Sequence, residues 1–176
     1  DRFSEADYTA VISDLHLCEA EPVNTKFPLW KKFKTRQFFF DKTFAEFLEH
    51  LKKKAEGKPV ELILNGDIFD FDSVISVPNE PVFRIKWLER KRGLFPRPER
   101  SQYKIEAILK DHPIFVAALS NFIKEGHRAI FIIGNHDLEL HFPNVQKTIL
   151  SSLDLTEEDQ KRVRFADWFY ISNRDT

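Results

Sequence analysis

Methionine is absent from the 176 residues, cysteine occurs once and glycine only five times. The lone Cys18 excludes an internal disulfide framework and a multi-cysteine zinc ribbon, and it fits a reducing, cytoplasmic setting. No run of about 18 apolar residues exists, so nothing reads as a membrane-spanning helix. The opening residues, DRFSEADY, lack the apolar core of a signal peptide. Charge of one sign is also missing: 27 Lys and Arg face 28 Asp and Glu, a formal net charge of -1. The global balance therefore points to neither nucleic acid nor membrane. What is present is a 42% hydrophobic composition with 18 Phe. That is enough for an aromatic core in a single domain of the usual size.

Three strand-like apolar runs each end in a polar cluster. Tyr8–Ser13 leads into Asp14-Leu15-His16, Val60–Asn65 into Gly66-Asp67-Ile68-Phe69-Asp70, and Ala129–Ile133 into Gly134-Asn135-His136-Asp137. Their near-continuous apolar character suits strands buried on both faces. Amphipathic helical patterns cover Phe40–Glu56, stopping at Gly57, and Ile105–Glu125, broken at His112-Pro113. The alternation predicts an α/β domain with a largely parallel sheet, whose ligands gather at the carboxyl ends of the strands. Thr156-Glu157-Glu158-Asp159 reads as the cap of a short helix reaching about Val163, and Phe169–Ser172 as a fourth strand. The segments Glu19–Arg36 and Ser73–Lys104 read as insertions above the strand ends.

The three clusters carry the chemistry. Asp14 and His16, two apart on extended chain, face the same way, so a carboxylate and an imidazole can reach one ion. Asp67 offers two oxygens and can bridge two cations, and Asp70 follows three residues on. Asn135 can ligate through a neutral amide oxygen, and His136 can donate a proton to a leaving alkoxide. Each cluster alone reads as a turn or a cap. Together they are hard to explain structurally, because unpaired carboxylates crowded at one sheet edge destabilise a fold and divalent cations relieve that cost.

ISDLH, NGDIFD and IGNHD resemble the first three signature motifs of the calcineurin-like metallophosphoesterases, over Tyr8 to Asp137. The resemblance implies a four-layer α/β/β/α sandwich and two divalent metals, commonly Mn, Fe or Zn. It implies that Asp14 and His16 bind the first metal, that Asp67 bridges, and that Asn135 binds the second. His136 is then the general acid and Asp70 orients it. The implied reaction is hydrolysis of a phosphate ester or pyrophosphate by a metal-activated hydroxide. The family adds a later lone histidine and a G-H-x-H; after Asp137 this chain has only His141, which reads as lining the mouth of the site. The expectation is one domain over residues 1–176, cut before its last ligands. SDLHLCEAEP is similar to the UDP-2,3-diacylglucosamine pyrophosphohydrolase branch, which suggests a sugar-nucleotide lipid as substrate. That branch has arginine where this chain has His136, and Glu where it has Asp70.

Two further readings concern partners. Residues 73–104 are rich in basic and aromatic side chains. They read either as a solvated insertion or as a lid in which Arg84, Lys86 and Trp87 meet an anionic substrate or a membrane surface. Trp30-Lys31-Lys32-Phe33-Lys34 reads as part of the same rim. Single-stranded nucleic acid is a weaker reading, since net basic charge is lacking. A nuclease and a non-catalytic metal-containing module are the alternatives to a phosphatase-like hydrolase. Cys18 reads as a small buried group, His112 as a helix break, and His50 and His127 as surface residues.

Overall fold

A computed structural model describes residues 3–4, 6–19, 40–80, 82–167 and 171–172. The elements run β1 (Phe3–Ser4), β2 (Tyr8–Ile12), α1 (Asp41–Ala55), β3 (Val60–Asn65), α2 (Trp87–Arg92), α3 (Pro98–Asp111), α4 (Pro113–Lys124) and β4 (Arg128–Ile132). A 3-10 turn (Leu138–His141), α5 (Pro143–Ser152), α6 (Glu157–Gln160), β5 (Val163–Ala166) and β6 (Ile171–Ser172) follow. Strands β2, β3, β4 and β5 form a sheet in that order, every pair parallel. A separate two-stranded parallel ladder joins β1 to β6. A parallel sheet flanked by helices is the α/β architecture expected from the alternating pattern.

Strands that neighbour one another in chain order need crossovers of one sense. Right-handed crossovers then place all the intervening helices on the same face. The side chains show this division. Leu62, Leu64, Ala129 and Phe131 turn to the core shared with α1, α3, α4 and α5, while the alternate Ile63, Ile130 and Ile132 cluster with Ala166 on the opposite face. Phe69 stands at the centre of the helix-side core, with ring centroids 6.1 Å from Phe131, 6.2 Å from Phe115 and 6.4 Å from Phe71. Full burial of each such ring contributes roughly 1.5–3 kcal/mol. The loop that carries Asp67 and Asp70 is thus nailed down by the residue between them.

Several boundaries differ from the sequence reading. The second helical pattern starts at Pro98, not Ile105, because Pro98 occupies the first helical turn, where a missing N–H costs nothing. It breaks after Asp111, as expected, and Pro143 opens α5 in the same way, a helix the periodicity did not reveal. The Thr156 cap forms, its hydroxyl accepting the Asp159 N–H, but α6 is a single turn. The chain then turns, and the fourth strand of the main sheet is Val163–Ala166. The Phe169–Ser172 reading falls within the described residues only at Ile171 and Ser172, which pair with β1. The Trp30–Lys34 rim and most of Glu19–Arg36 lie outside the described residues. No helix of the described residues is long and apolar enough to cross a membrane.

The histidines outside the site divide. His50 is exposed, but His127 is buried, against the surface reading. Its N–H returns to Phe122 O at 3.3 Å, its ring packs 4.4 Å from the Phe122 ring, and its Nδ1 accepts the Val60 N–H at 3.1 Å. Burial pushes the His127 pKa below 6.5, against the pull of Glu125 and with a smaller push from Lys52. With the folded value below the unfolded one, the neutral ring's contribution is complete above pH 6.5 and is lost as pH falls through the folded value. Urea unfolding across this range should show stability declining as the pH drops. His127→Leu should flatten that decline and cost about 1–3 kcal/mol near neutral pH, because the Val60 N–H loses its acceptor.

Candidate metal centre

Asp14, His16 and Asp67 lie at the carboxyl ends of the neighbouring strands β2 and β3. The first two are not on extended chain: Asp14 has φ 58°, His16 φ 47° and Asp67 φ 54°, all left-handed. Two successive reversals, not strand periodicity, bring the pair together. The bends are fixed by backbone bonds across the strand ends, Asp14 N–H to Gly66 O at 3.2 Å and His16 N–H to Asp67 O at 3.0 Å. Leu17 then donates to Ile68 O and accepts from the Asp70 N–H, both at 2.8 Å, a short parallel bridge beyond the sheet. His16 Nε2 ends 3.8 Å from Asp14 Oδ1.

The third cluster joins through its backbone. Asp137 is fully buried and its Oδ1 accepts the Gly134 N–H at 2.6 Å, while its Oδ2 accepts the Ile68 N–H at 2.8 Å and the Phe69 N–H at 3.4 Å. Burial pushes the Asp137 carboxyl above its ordinary range, opposed by these backbone donors. His136 N–H donates to Asp67 Oδ1 at 2.9 Å. The His136 ring lies edge-on to that of His16, centroids 4.8 Å apart.

Asp70 stands between the two imidazoles, its Oδ2 3.9 Å from His16 Nδ1 and its Oδ1 3.6 Å from His136 Nδ1. Both separations exceed hydrogen-bond length. Asp70 is itself held by the Ser73 hydroxyl at 2.6 Å and the Ser73 N–H at 3.0 Å. His136 Nδ1 is buried and has no hydrogen-bond partner among the described residues. Asn135 is exposed and, with Ile133, Gly134, Leu138, His141 and Asp167, lines a cleft of about 490 Å³. His141 Nδ1 lies 3.8 Å from Asp167 Oδ1 at that cleft. A larger cavity, about 620 Å³ among α3, α4 and α5, contains none of these residues. Arg84, Lys86 and Trp87 are exposed, and among the described residues no hydrogen bond or ion pair joins them to the cluster.

The residues fit a divalent cation. The donor atoms of Asp14, His16 and Asp67 all lie within 4.8 Å of one another, and so do those of His16, Asp70 and His136. Donors around one ion at about 2.0–2.2 Å stand at most roughly 4.4 Å apart, so small rotations close either set. Carboxylate oxygens mixed with imidazole nitrogen suit a hard or borderline ion.

Sequence reasoning assigned no role to Asp137, Glu19, Lys104 or Glu139. Asp137 is legible in retrospect, because an Asp closing a short Gly-led turn often accepts a nearby backbone N–H. Glu19 Oε1 accepts the Ile75 and Ser76 N–H groups, tying the first cluster's loop to the segment after Asp70. Lys104 is buried and donates to Phe71 O at 2.9 Å. Burial pushes its pKa down, against the pull of Glu139, Asp72, Asp70 and Glu19. Buried His112 does break the helix, and it also binds Asp41 at 2.9 Å and Cys18 O at 2.8 Å. Cys18 is buried, as its residue type suggests.

A family model for the calcineurin-like phosphoesterase domain matches residues 8–175. The chain belongs to that family, whose members hydrolyse phosphoesters with divalent metals. No curated protein and no solved structure gives a significant match.

Gly134 sets the closest approach in the centre. A Cβ there would overlap Asp67 Oδ1 and lie 2.5 Å from Asp67 N, so even alanine must displace both the side chain and the backbone of Asp67. Gly134→Ala should weaken Mn²⁺ binding, followed by titration calorimetry, by at least about tenfold while the circular dichroism spectrum is kept.

Proposed function

We propose that the chain hydrolyses a phosphate ester or pyrophosphate with two divalent cations, Mn, Fe or Zn. Asp14 and His16 hold the first, Asp67 is shared, and Asn135 serves the second. The observation that supports this most is the His136 N–H bond to Asp67 Oδ1. It fixes the proton donor to the carboxylate that both ions would share. Bound cations lower the pKa of water and neutralise charge on phosphoryl oxygens.

The protein's own part is positioning and proton transfer. A hydroxide, formed from water whose proton has passed to solvent, attacks phosphorus in line, the P–O bond to the leaving group breaks, and the departing oxygen takes a proton from His136. With Nδ1 turned towards Asp70, the His136 Nε2 carries that proton. Asp70, held by Ser73, is the carboxylate that would orient the ring. The 490 Å³ cleft beside Asn135, with His141 at its wall, would take part of the substrate. A sugar-nucleotide lipid is the substrate to test first, on the similarity of SDLHLCEAEP to the pyrophosphohydrolase branch.

Asp67→Asn should abolish Mn²⁺-dependent hydrolysis of a chromogenic phosphodiester while the fold survives; retained turnover would refute the assignment. Replacing the acid gives a different signature. His136→Asn should slow substrates with an alkoxide leaving group by about 10²–10⁴-fold and affect a nitrophenolate leaving group much less. An equal loss on both would remove His136 as the acid. Bound metal without turnover on any ester, diester or pyrophosphate would make the chain a binding module.

A further inference from the structure

Between Val82 and Arg97 the chain has six cations, Arg84, Lys86, Arg90, Lys91, Arg92 and Arg97, and one acid, Glu89. All six cations are exposed, whereas Glu89 is 0% exposed. Its Oε1 lies 3.0 Å from Arg100 Nη1 and accepts the Phe95 N–H at 3.2 Å, and its Oε2 accepts the Lys86 N–H at 2.8 Å. The only acid of the segment is thus turned inward and neutralised. Every exposed charge between Val82 and Arg97 is therefore positive, on a chain whose net charge is -1.

Apolar side chains stand among those cations. Val82 is 94% exposed, Trp87 69%, Phe95 38% and Leu88 37%. They are four of the nine large apolar side chains exposed among the described residues, so the exposure is concentrated here. The segment is also pinned from beneath. Arg100 donates to Arg84 O at 3.0 Å and lies over the Phe83 ring, and Leu94 is buried. Gly93, at φ 89°, passes so close to Val74 that a Cβ would lie 2.6 Å from Val74 O. A fixed segment whose exposed charges are cations set among apolar groups, bounded by the exposed acids Glu80 and Glu99, is complementary to a layer of negative headgroups above hydrocarbon.

Nucleic acid would use the cations but not the rest. Base stacking needs free ring faces. One face of Trp87 is covered by Lys91 Nζ, 4.3 Å from the ring centroid, and Val82 and Leu88 offer nothing to a base or phosphate. Trp and aliphatic side chains beside Lys and Arg are what the membrane interface favours. We propose that the Val82–Arg97 face docks on a bilayer surface rich in anionic lipid. Its cations meet the headgroups, and Val82, Trp87 and Leu88 enter the interfacial layer. The inference goes beyond the hydrolytic reading and stands on residues outside the metal cluster.

Co-sedimentation with vesicles tests it without metal or turnover, so an inactive chain does not affect the result. The chain should pellet with phosphatidylcholine vesicles containing about one third phosphatidylglycerol, not with phosphatidylcholine alone, and about 0.5 M salt should release it. The double variant Arg90→Glu, Arg92→Glu should lower the partition coefficient by at least about tenfold. Leu88→Ser should lower it about threefold with the charge intact. All three positions are solvent-facing, and thermal melting verifies that the variants fold. Failure to pellet, equal pelleting with both vesicles, or indifference to charge reversal overturns the proposal. So does displacement from the vesicles by a single-stranded oligonucleotide that binds more tightly.

Discussion

The buried Asp137 carboxylate clasps the loop after β4 to the loop after β3, and the geometry of the centre follows from that clasp. By accepting N–H groups from Gly134, Ile68 and Phe69, it satisfies three donors that strand pairing leaves over where the sheet ends. With the loops so joined, Gly66 and Gly134 come into contact, and His136 N–H meets Asp67. An apolar residue in place of Asp137 would leave the Ile68 and Phe69 N–H groups buried without that acceptor, each at a cost of roughly 1–3 kcal/mol, and would free the Gly134 N–H at the cleft. The metal-facing residues are thus positioned by one that does not face the metal.

Electrostatics then decide what the assembled loops can hold. Asp14, Asp67 and Asp70 crowd around two imidazoles, with Asp137 directly behind them. The buried cation near them is Lys104, whose ammonium is spent on Phe71 O and which also feels Glu139, Asp72 and Glu19. Glu139, buried beside it, is pushed above its ordinary range by burial, with Lys104 opposing. Among the described residues, one ammonium shared among so many acids leaves negative charge uncompensated at the strand ends. In a partly desolvated site a divalent ion is the economical counter-charge, and once bound it dominates the local field.

How far this could be read from the amino-acid order depends on the kind of physics involved. Strands β3 and β4 were legible because burial on both faces writes an apolar run; β2 carries a similar run but lies at the sheet edge with Tyr8 and Val11 exposed, against the expectation of burial on both faces. The ligand clusters were legible because chemistry limits the residue types at the strand ends. Helix starts at Pro98 and Pro143 were not, because proline signals a loop and a first helical turn alike. The burial of His127 depends on the Val60 N–H, 67 positions away in sequence, which no local pattern encodes. Residues 73–104 read as surface because they are rich in charge. Part of that charge is internal: Glu89, Arg100 and Lys104 are all buried, each with a partner supplied by the fold.

The backbone separates the site from ordinary turns more sharply than composition does. Among the described residues five non-glycine positions have positive φ: Asp14, His16, Glu56, Asp67 and Asp154. Glu56 caps α1, and Asp154 follows the cap of α5, where a left-handed residue closes a helix and satisfies its last carbonyls. The other three follow strands, where no helix end requires the conformation, and each costs of order 1–2 kcal/mol relative to a right-handed residue. Glycine would remove that cost at every one of the three positions. It would also remove the carboxylate or the imidazole. The chain keeps strained side chains where their donor atoms converge and places glycine beside them, at Gly66 and Gly134, where only backbone must pass. Among the described residues, the left-handed non-glycine positions away from helix ends are all candidate ligands; that strain is a local cost that a bound cation offsets, and it argues for a ligand site on grounds independent of the sequence motifs.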